Sequence, residues 1–391
     1  MNSVENIVGL NMDFTATTPL APGVIEEMVR ILAMVPGNPS SPHELGLQAT
    51  RVVEDARETI LKEFGLTDTH RLIFTSGGSE GNSTVLHALT SSSDGTNIVT
   101  TPFEHNSIRV FFPLLERAGV EVREVQPDHS GSIEPEKLLK SVDRNTRLVS
   151  IMAVNNETGF IFDIPGIAKT VRHHFPQARI HTDYVQGFMK IPIDLGDVDF
   201  VSVSAHKIHG PKGTGALIMR KGLSFPFIIG GSHEYGLRGG THNVAGIAGF
   251  GEAVRLLQGE VSDNARQVSS LRSSFLDVIS ENLPHATVIE GSTNSPYILG
   301  LTVPGIKSEV VVRMLSEKGI FISAGSACSS RSSNHNRTVQ VLGLNPDEFL
   351  RISLSPWLNG EEVEAAAHTI AATCTEFLQM MGSDPKGPRD L

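Results

Sequence analysis

The chain has 391 residues, 39% hydrophobic and 19% charged, which suits a globular protein of two domains with a sizeable core. Its 32 Lys+Arg against 43 Asp+Glu leave a net charge of −11, which argues against nucleic acid or an anionic membrane as the main partner. Only two cysteines, Cys328 and Cys374, no leader pattern in the first residues and no apolar run near the roughly 20 residues of a membrane span together make a reducing, cytoplasmic setting the expectation.

In chain order, Asp13-Phe14-Thr15-Ala16-Thr17-Thr18-Pro19 opens extended and ends at a proline, and helical spacing follows from Ala21 to Val35. Residues 37–43 are a dense turn cluster, and Glu44 to Phe64 has the pattern of a long amphipathic helix. From Arg71 the pattern alternates. Strands are expected at Leu72–Thr75, Asn97–Thr100, Glu121–Val125, Leu148–Val154, Ile180–Asp183, Asp199–Ser204 and Gly215–Met219, with helices such as Ser107–Ala118 and Pro165–His174 between them. Further helices are expected over Thr241–Leu257 and Asp263–Leu283. Alternating strands and helices imply an α/β fold around a mostly parallel sheet, in which ligands bind at the carboxyl ends of the strands. No internal repeat is present.

Those strand ends carry chemistry. Thr75-Ser76-Gly77-Gly78-Ser79-Glu80-Gly81-Asn82 is a glycine loop opening a helix, where free amides favour a phosphate; an ordinary strand-to-helix turn reads the same way. Glu104-His105-Asn106-Ser107 places a histidine able to lie on a planar ring and move protons near neutral pH, or else a simple helix cap. Asn155-Asn156-Glu157-Thr158-Gly159 offers an amide to a phenolic oxygen, or is a polar turn. In His181-Thr182-Asp183-Tyr184-Val185-Gln186 the aspartate can pair with a protonated pyridine nitrogen, or cap the next helix. Val203-Ser204-Ala205-His206-Lys207, before a Gly-Pro-Lys-Gly turn, puts an amine at a strand end, where it can form a Schiff base with an aldehyde cofactor; a lone lysine is otherwise a surface residue. No Cys/His cluster has zinc spacing.

Taken together and in this order, these segments resemble the NifS/IscS-like cysteine desulfurases and the related selenocysteine lyases, class V pyridoxal phosphate enzymes. The likeness continues through Gly230-Gly231-Ser232-His233-Glu234, Leu237-Arg238-Gly239-Gly240-Thr241 and Gly325-Ser326-Ala327-Cys328-Ser329-Ser330, nearly the whole chain. It implies an aspartate aminotransferase-like fold: a large domain over residues 16–262 with a sheet of the seven-stranded type, and a smaller α+β domain over 1–15 and 263–391 carrying a cysteine loop. It also implies pyridoxal 5'-phosphate as cofactor. Lys207 would be the Schiff-base lysine, His105 would stack on the ring, Asp183 would pair with the pyridine nitrogen, and Asn156 and Gln186 would flank the phenolic oxygen. Gly78, Ser79, Ser204 and His206 would hold the phosphate, with Thr241 reaching in from the second subunit of a homodimer. Arg351, in Leu350-Arg351-Ile352-Ser353, would clamp the substrate carboxylate, alongside Asn156.

Cys328 decides the reaction within that family. Its neighbours are small and polar, as in a mobile loop, with Arg331, His335 and Arg337 as cations able to favour a thiolate; Cys374 sits in an apolar helical run and reads as a small buried hydrophobe. The resemblance implies that L-cysteine is the substrate, that alanine leaves, and that a Cys328 persulfide passes to a sulfur-acceptor protein. Selenocysteine lyase, or a β-lyase or aminotransferase of the same fold, is the alternative. The chain departs from the family at Gly78-Ser79-Glu80-Gly81, where Ala/Gly-Thr-Glu-Ser is usual, and at Tyr184 and Tyr235, which replace Ala and Arg. It also departs in the shortened stretch from Leu342 to Arg351 and at Ser355-Pro356.

Overall fold

The computed structural model describes residues 9–89, 95–128, 130–224, 228, 230–325 and 336–382. The chain divides into two compact units, one made of Thr17–Asn155 and Ile161–Val261, the other of residues up to Ala16, Asn156–Phe160 and Ser262 onward. Residues 156–160 therefore go with the smaller unit and not with a continuous 16–262 block.

The larger unit is built on seven strands: β1 (His70–Thr75), β2 (Thr96–Thr100), β3 (Val120–Glu124), β4 (Thr146–Ser150), β5 (Arg179–Asp183), β6 (Phe200–Ser204) and β7 (Gly215–Arg220). Their order across the sheet is β1-β7-β6-β5-β4-β2-β3, and every pairing is parallel except those of β7 with β1 and β6. Both faces of the central strands are covered, so every residue of β6 is buried, Ser202 and Ser204 included, while edge strand β3 is half solvated. Ile73, Ile98, Leu148, Phe200 and Leu217 from the strands close on Val85, Leu86, Ile108 and Leu115 from flanking helices. These contacts make the sheet and its helices one rigid frame, so the strand ends are fixed in place.

Helices α1 (Pro22–Met34), α2 (Glu44–Glu63), α3 (Gly78–His87), α4 (Ile164–His174) and α5 (Val244–Leu257) complete the unit; α3 packs on the sheet, and α1 and α2 pack on α5. Their starts follow local chemistry: a proline lies in the first turn of α1 and α4, and Asp163 accepts the N–H of Gly166 at 2.9 Å. The helix expected over Ser107–Ala118 is two pieces, Asn106–Arg109 and Phe112–Arg117. Pro113 is the reason: it has no N–H to donate back along a continuous helix and crowds the preceding turn.

The smaller unit holds an antiparallel sheet of β8 (Thr287–Ile289), β9 (Ile298–Thr302) and β10 (Phe349–Ser353) with β9 central, and a short parallel pairing of Leu10–Asn11 with Ile320–Phe321. Helices α6 (Val261–Asn282), α7 (Ser308–Glu317) and α8 (Gly360–Met380) accompany it. Asn359 and Glu362 form a reciprocal capping box at the start of α8. Gly159 belongs to this unit; its φ is +80°, and a Cβ there would lie 2.7 Å from the carbonyl oxygen of Ile298. Only glycine lets residues 156–160 lie against β9.

Candidate active site

Strand ends β1, β2, β5 and β6 converge on one edge of the large unit. β1 runs into Ser76-Gly77-Gly78, and a Cβ on Gly78 would stand 2.4 Å from Cγ2 of Val185, two residues past Asp183. The glycine is what lets the loop backbone approach. Glu80 accepts the N–H of Ser76 at 2.7 Å and the guanidinium of Arg238 at 3.0 Å, which fixes the first turn of α3. Burial would raise the Glu80 carboxyl, but Arg238 and the Ser76 N–H hold it below its usual range. Ser79 is exposed at the same turn.

Asp183 ends β5 and is 6% exposed. Its carboxylate accepts the side-chain amide of Asn82 at 2.7 Å and the N–H of Val185 at 3.0 Å. The same Asn82 nitrogen reaches Ser107 Oγ at 2.9 Å, and that oxygen lies 2.8 Å from His105 Nδ1. Burial pushes the His105 imidazole below its ordinary pKa, with Asp183 pulling it up and Lys207 pushing it further down. Glu104, one residue earlier, is 4% exposed; its Oε1 accepts the N–H of Met152 at 2.8 Å and the hydroxyl of Thr101 at 3.2 Å. Burial and then the charge of Asp183 push this carboxyl well above the usual range.

Lys207 follows β6 in a single 3-10 turn, Ala205–Lys207. The opening Thr17-Thr18-Pro19 braces that turn. Thr18 donates its N–H and hydroxyl to the carbonyl of His206 at 2.9 and 3.0 Å, Thr17 Oγ1 lies 3.1 Å from His206 Nδ1, and His209 bonds Pro19 and Thr18. Burial, then Lys207, Lys212 and Lys190, bring His206 down to about 4. Burial and Lys207 bring the half-buried Lys190 down to about 7. Gln186 is buried beyond Asp183. The edge thus joins Gly78, Ser79, His105, Asp183, Gln186, Ser204, His206 and Lys207, and its cations repel each other's protons. Such a cluster gains from an anion, and a phosphate suits it.

Thr241 is exposed and lines a cleft with Ser76, Thr214 and Arg238, beside the glycine loop. Asn156 and Arg351 lie in the smaller unit. Arg351 is 2% exposed on β10, donates to Asp13 at 2.8 Å and to the carbonyl of Asn156 at 3.1 Å, and keeps Nε without a partner among the described residues. Its backbone pairs with Ser323 at 2.7 and 3.1 Å, and Asn336 bonds the carbonyls of Ala324 and Pro346. Cys328, Arg331 and His335 lie outside the described residues. Cys374 is fully buried and burial pushes its thiol up to about 12, so it offers no nucleophile.

Asn82, Glu104 and Lys190 were not singled out from the sequence. Asn82 and Glu104 stand inside motifs quoted for other residues, and Lys190 carries no local signal at all.

The class-V aminotransferase family profile matches residues 10–366. The chain is 35% identical over 339 residues to the cysteine desulfurase IscS of Dictyoglomus turgidum, covering 85% of each protein. It is 33% identical over 380 residues to a cysteine desulfurase of Bradyrhizobium diazoefficiens, covering 95% of this chain and 96% of that one. Among solved structures it is similar to a NifS-like protein, with TM-score 0.87 and 32% identity over 94% of this chain and all of the other. It is also similar to SspA, solved in complex with cysteine, with TM-score 0.77 and 31% identity over 89% and 99% of the two chains.

Proposed function

Because this chain belongs to the class-V aminotransferase family, we propose that it is a cysteine desulfurase, taking sulfur from L-cysteine and releasing L-alanine. The family's cofactor is pyridoxal 5'-phosphate, which supplies an electron sink that lets the substrate's α-proton leave. The residues present suit it. Lys207 would hold the aldehyde end and Asp183 the pyridine nitrogen, with His105 on the ring and Gln186 and Asn156 at the phenolic oxygen. Gly78, Ser79, Ser204 and His206 would hold the phosphate, and Thr241 would serve the other subunit of a homodimer.

The observation that carries this reading is a carboxylate and an imidazole fixed by hydrogen bonds at one sheet edge, with a lysine on a braced turn close enough for its charge to act on the imidazole. Arg351 supports a substrate carboxylate, because it is a buried guanidinium whose Nε has no partner among the described residues, and an anion would supply one. Lys207 would take the α-proton, and His105 would handle a proton at the substrate thiol. Cys328, as thiolate, would attack the substrate sulfur. The carbon–sulfur bond then breaks with its electrons left on carbon, which is reduced and takes a proton; the sulfur, oxidised by the loss of that same electron pair, remains as a persulfide on Cys328. A sulfur-acceptor protein would receive it. The smaller unit, to which residues 156–160 also belong, would be the domain carrying that cysteine. Among the described residues no helix is long and apolar enough to cross a membrane, and we place the enzyme in the cytoplasm.

The test is alanine release from L-cysteine, and in parallel from L-selenocysteine, with cofactor and dithiothreitol. Wild type should form alanine from cysteine; Cys328→Ala should keep the cofactor's colour and form none. Lys207→Ala should lose turnover with both substrates. Alanine from selenocysteine alone would replace this reading with a lyase, and pyruvate in place of alanine would mean β-elimination.

A further inference from the structure

We propose that Asn82 and Ser107 are positioning residues that hold His105 as its Nε2–H tautomer, so that the imidazole enters the reaction as a proton donor at Nε2. The role rests on the desulfurase reading; the tautomer rests on the direction of four hydrogen bonds. A carboxylate only accepts, so the Asn82 atom 2.7 Å from Asp183 Oδ2 is the amide nitrogen. That nitrogen spends its second proton on Ser107 Oγ at 2.9 Å. Ser107 Oγ, already accepting, turns its own proton to His105 Nδ1 at 2.8 Å. The Ser107 backbone N–H points to the same ring nitrogen at 3.1 Å. Two donors converge on Nδ1, which must therefore present its lone pair, and the proton of the neutral ring goes to Nε2.

The alternative tautomer fails at each joint. A proton on Nδ1 would face the Ser107 N–H, and the serine hydroxyl would have two protons directed at it and none placed. Asn82 is 1% exposed, and its Oδ1 has no partner among the described residues. The amide thus leaves its acceptor unused in order to make both donor bonds, and turning it over would set an oxygen against Asp183. The result is one chain from the carboxylate assigned to the pyridine nitrogen, through Asn82 and Ser107, to the ring assigned to stack on it. His105 cannot first take a proton at Nε2, because one is already there.

The experiment is long-range proton–nitrogen NMR on protein labelled with 15N-histidine, both stripped of cofactor and loaded, with His105 assigned by its loss in His105→Asn. Wild type should show an unprotonated Nδ1 and a protonated Nε2 in both states. An Nδ1–H signal overturns the proposal. Ser107→Ala removes one donor to Nδ1 and so makes that nitrogen easier to protonate. The His105 midpoint should rise by roughly half a pH unit and kcat on L-cysteine should fall about fivefold, with KM changed little. The ring also faces the charges of Asp183 and Lys207, which this variant leaves in place. Asn82→Leu keeps the bulk and removes both donors. It should lower kcat at least as far, and a folded Asn82→Leu protein with wild-type kcat would sink the positioning role. If no alanine forms but the Nε2–H tautomer is seen, the desulfurase reading fails while the tautomer stands.

Discussion

Glu104 keeps a carboxyl where water does not reach it, one residue before His105 and within the field of Asp183. Two charges there would repel, so burial and Asp183 both favour the neutral carboxyl, while Oε1 accepts the Met152 N–H and the Thr101 hydroxyl. Glu104→Gln offers the same acceptor and no charge, and should leave activity and urea stability near wild type. Glu104→Ala leaves the Met152 N–H unpaired and opens a cavity, and should cost about 2–4 kcal/mol in urea unfolding. A Gln variant as damaged as the Ala variant would mean the carboxyl is ionised. In place of Arg351 a lysine keeps the charge but lacks the planar fork, so Arg351→Lys should raise KM for L-cysteine about tenfold or more in steady-state assays. An unchanged KM would remove Arg351 from the substrate site.

The segment from Gly230 to Thr241 is held by one buried carboxylate. Glu234 pairs with both terminal nitrogens of Arg57 on α2 at 2.9 Å, accepts the N–H of Phe74 on β1 at 2.9 Å, and meets His242 at 2.6 Å. Burial would raise its pKa, but His242 and Arg57 bring it to about 2. Glu234→Gln leaves the buried Arg57 charge with only the more exposed Glu54 to pair it, and should cost about 2–4 kcal/mol in chemical unfolding, much of it recovered in Arg57→Met plus Glu234→Met. Equal loss in the single and double variants would mean the pair itself is not what holds the segment. The same element accommodates Tyr235: its ring sits 5.4 Å from the Arg57 guanidinium and 5.2 Å from that of Arg71, a place where a third cation would be repelled. The strands were readable because apolar runs alternate with helical spacing, and the lysine, aspartate and histidine because each follows a strand. The Arg57–Glu234 pair, 177 residues apart, and the Asn82–Asp183 bond, 101 apart, were not. Nothing local in a sequence records which distant acceptor a donor finds. The allegiance of residues 156–160 was hidden for a similar reason, since it depends on their packing against β9.

At the scale of the whole molecule, the large unit stores several imidazoles in their neutral form. His181 is 1% exposed between Ser150 Oγ at 2.8 Å and Ser202 Oγ at 3.2 Å, and burial takes it from 6.5 to about 4. His206 and His209 are likewise held near about 4, by burial first. Unfolding releases each to its ordinary value of 6.5. Above 6.5 neither state binds the proton, and no penalty exists. As pH falls from 6.5 to 4 the unfolded chain protonates and the folded one does not, so stability is lost across that window and the loss levels off below it. For His181 alone the full loss is on the order of 3 kcal/mol. The carboxylates act lower: Glu234 loses its contribution between 4.5 and about 2, so the two effects separate on the pH axis. The cofactor-free protein should therefore show a urea midpoint that drops steadily between pH 6.5 and 4. A phosphate beside His206 would favour its charged form and remove that residue's share, while His181, set between the two serines, keeps its own. Loading with cofactor should shallow the slope without abolishing it. A flat midpoint in the cofactor-free protein would mean that these rings are already charged in the fold, and a slope unchanged by loading would mean that no phosphate sits beside His206.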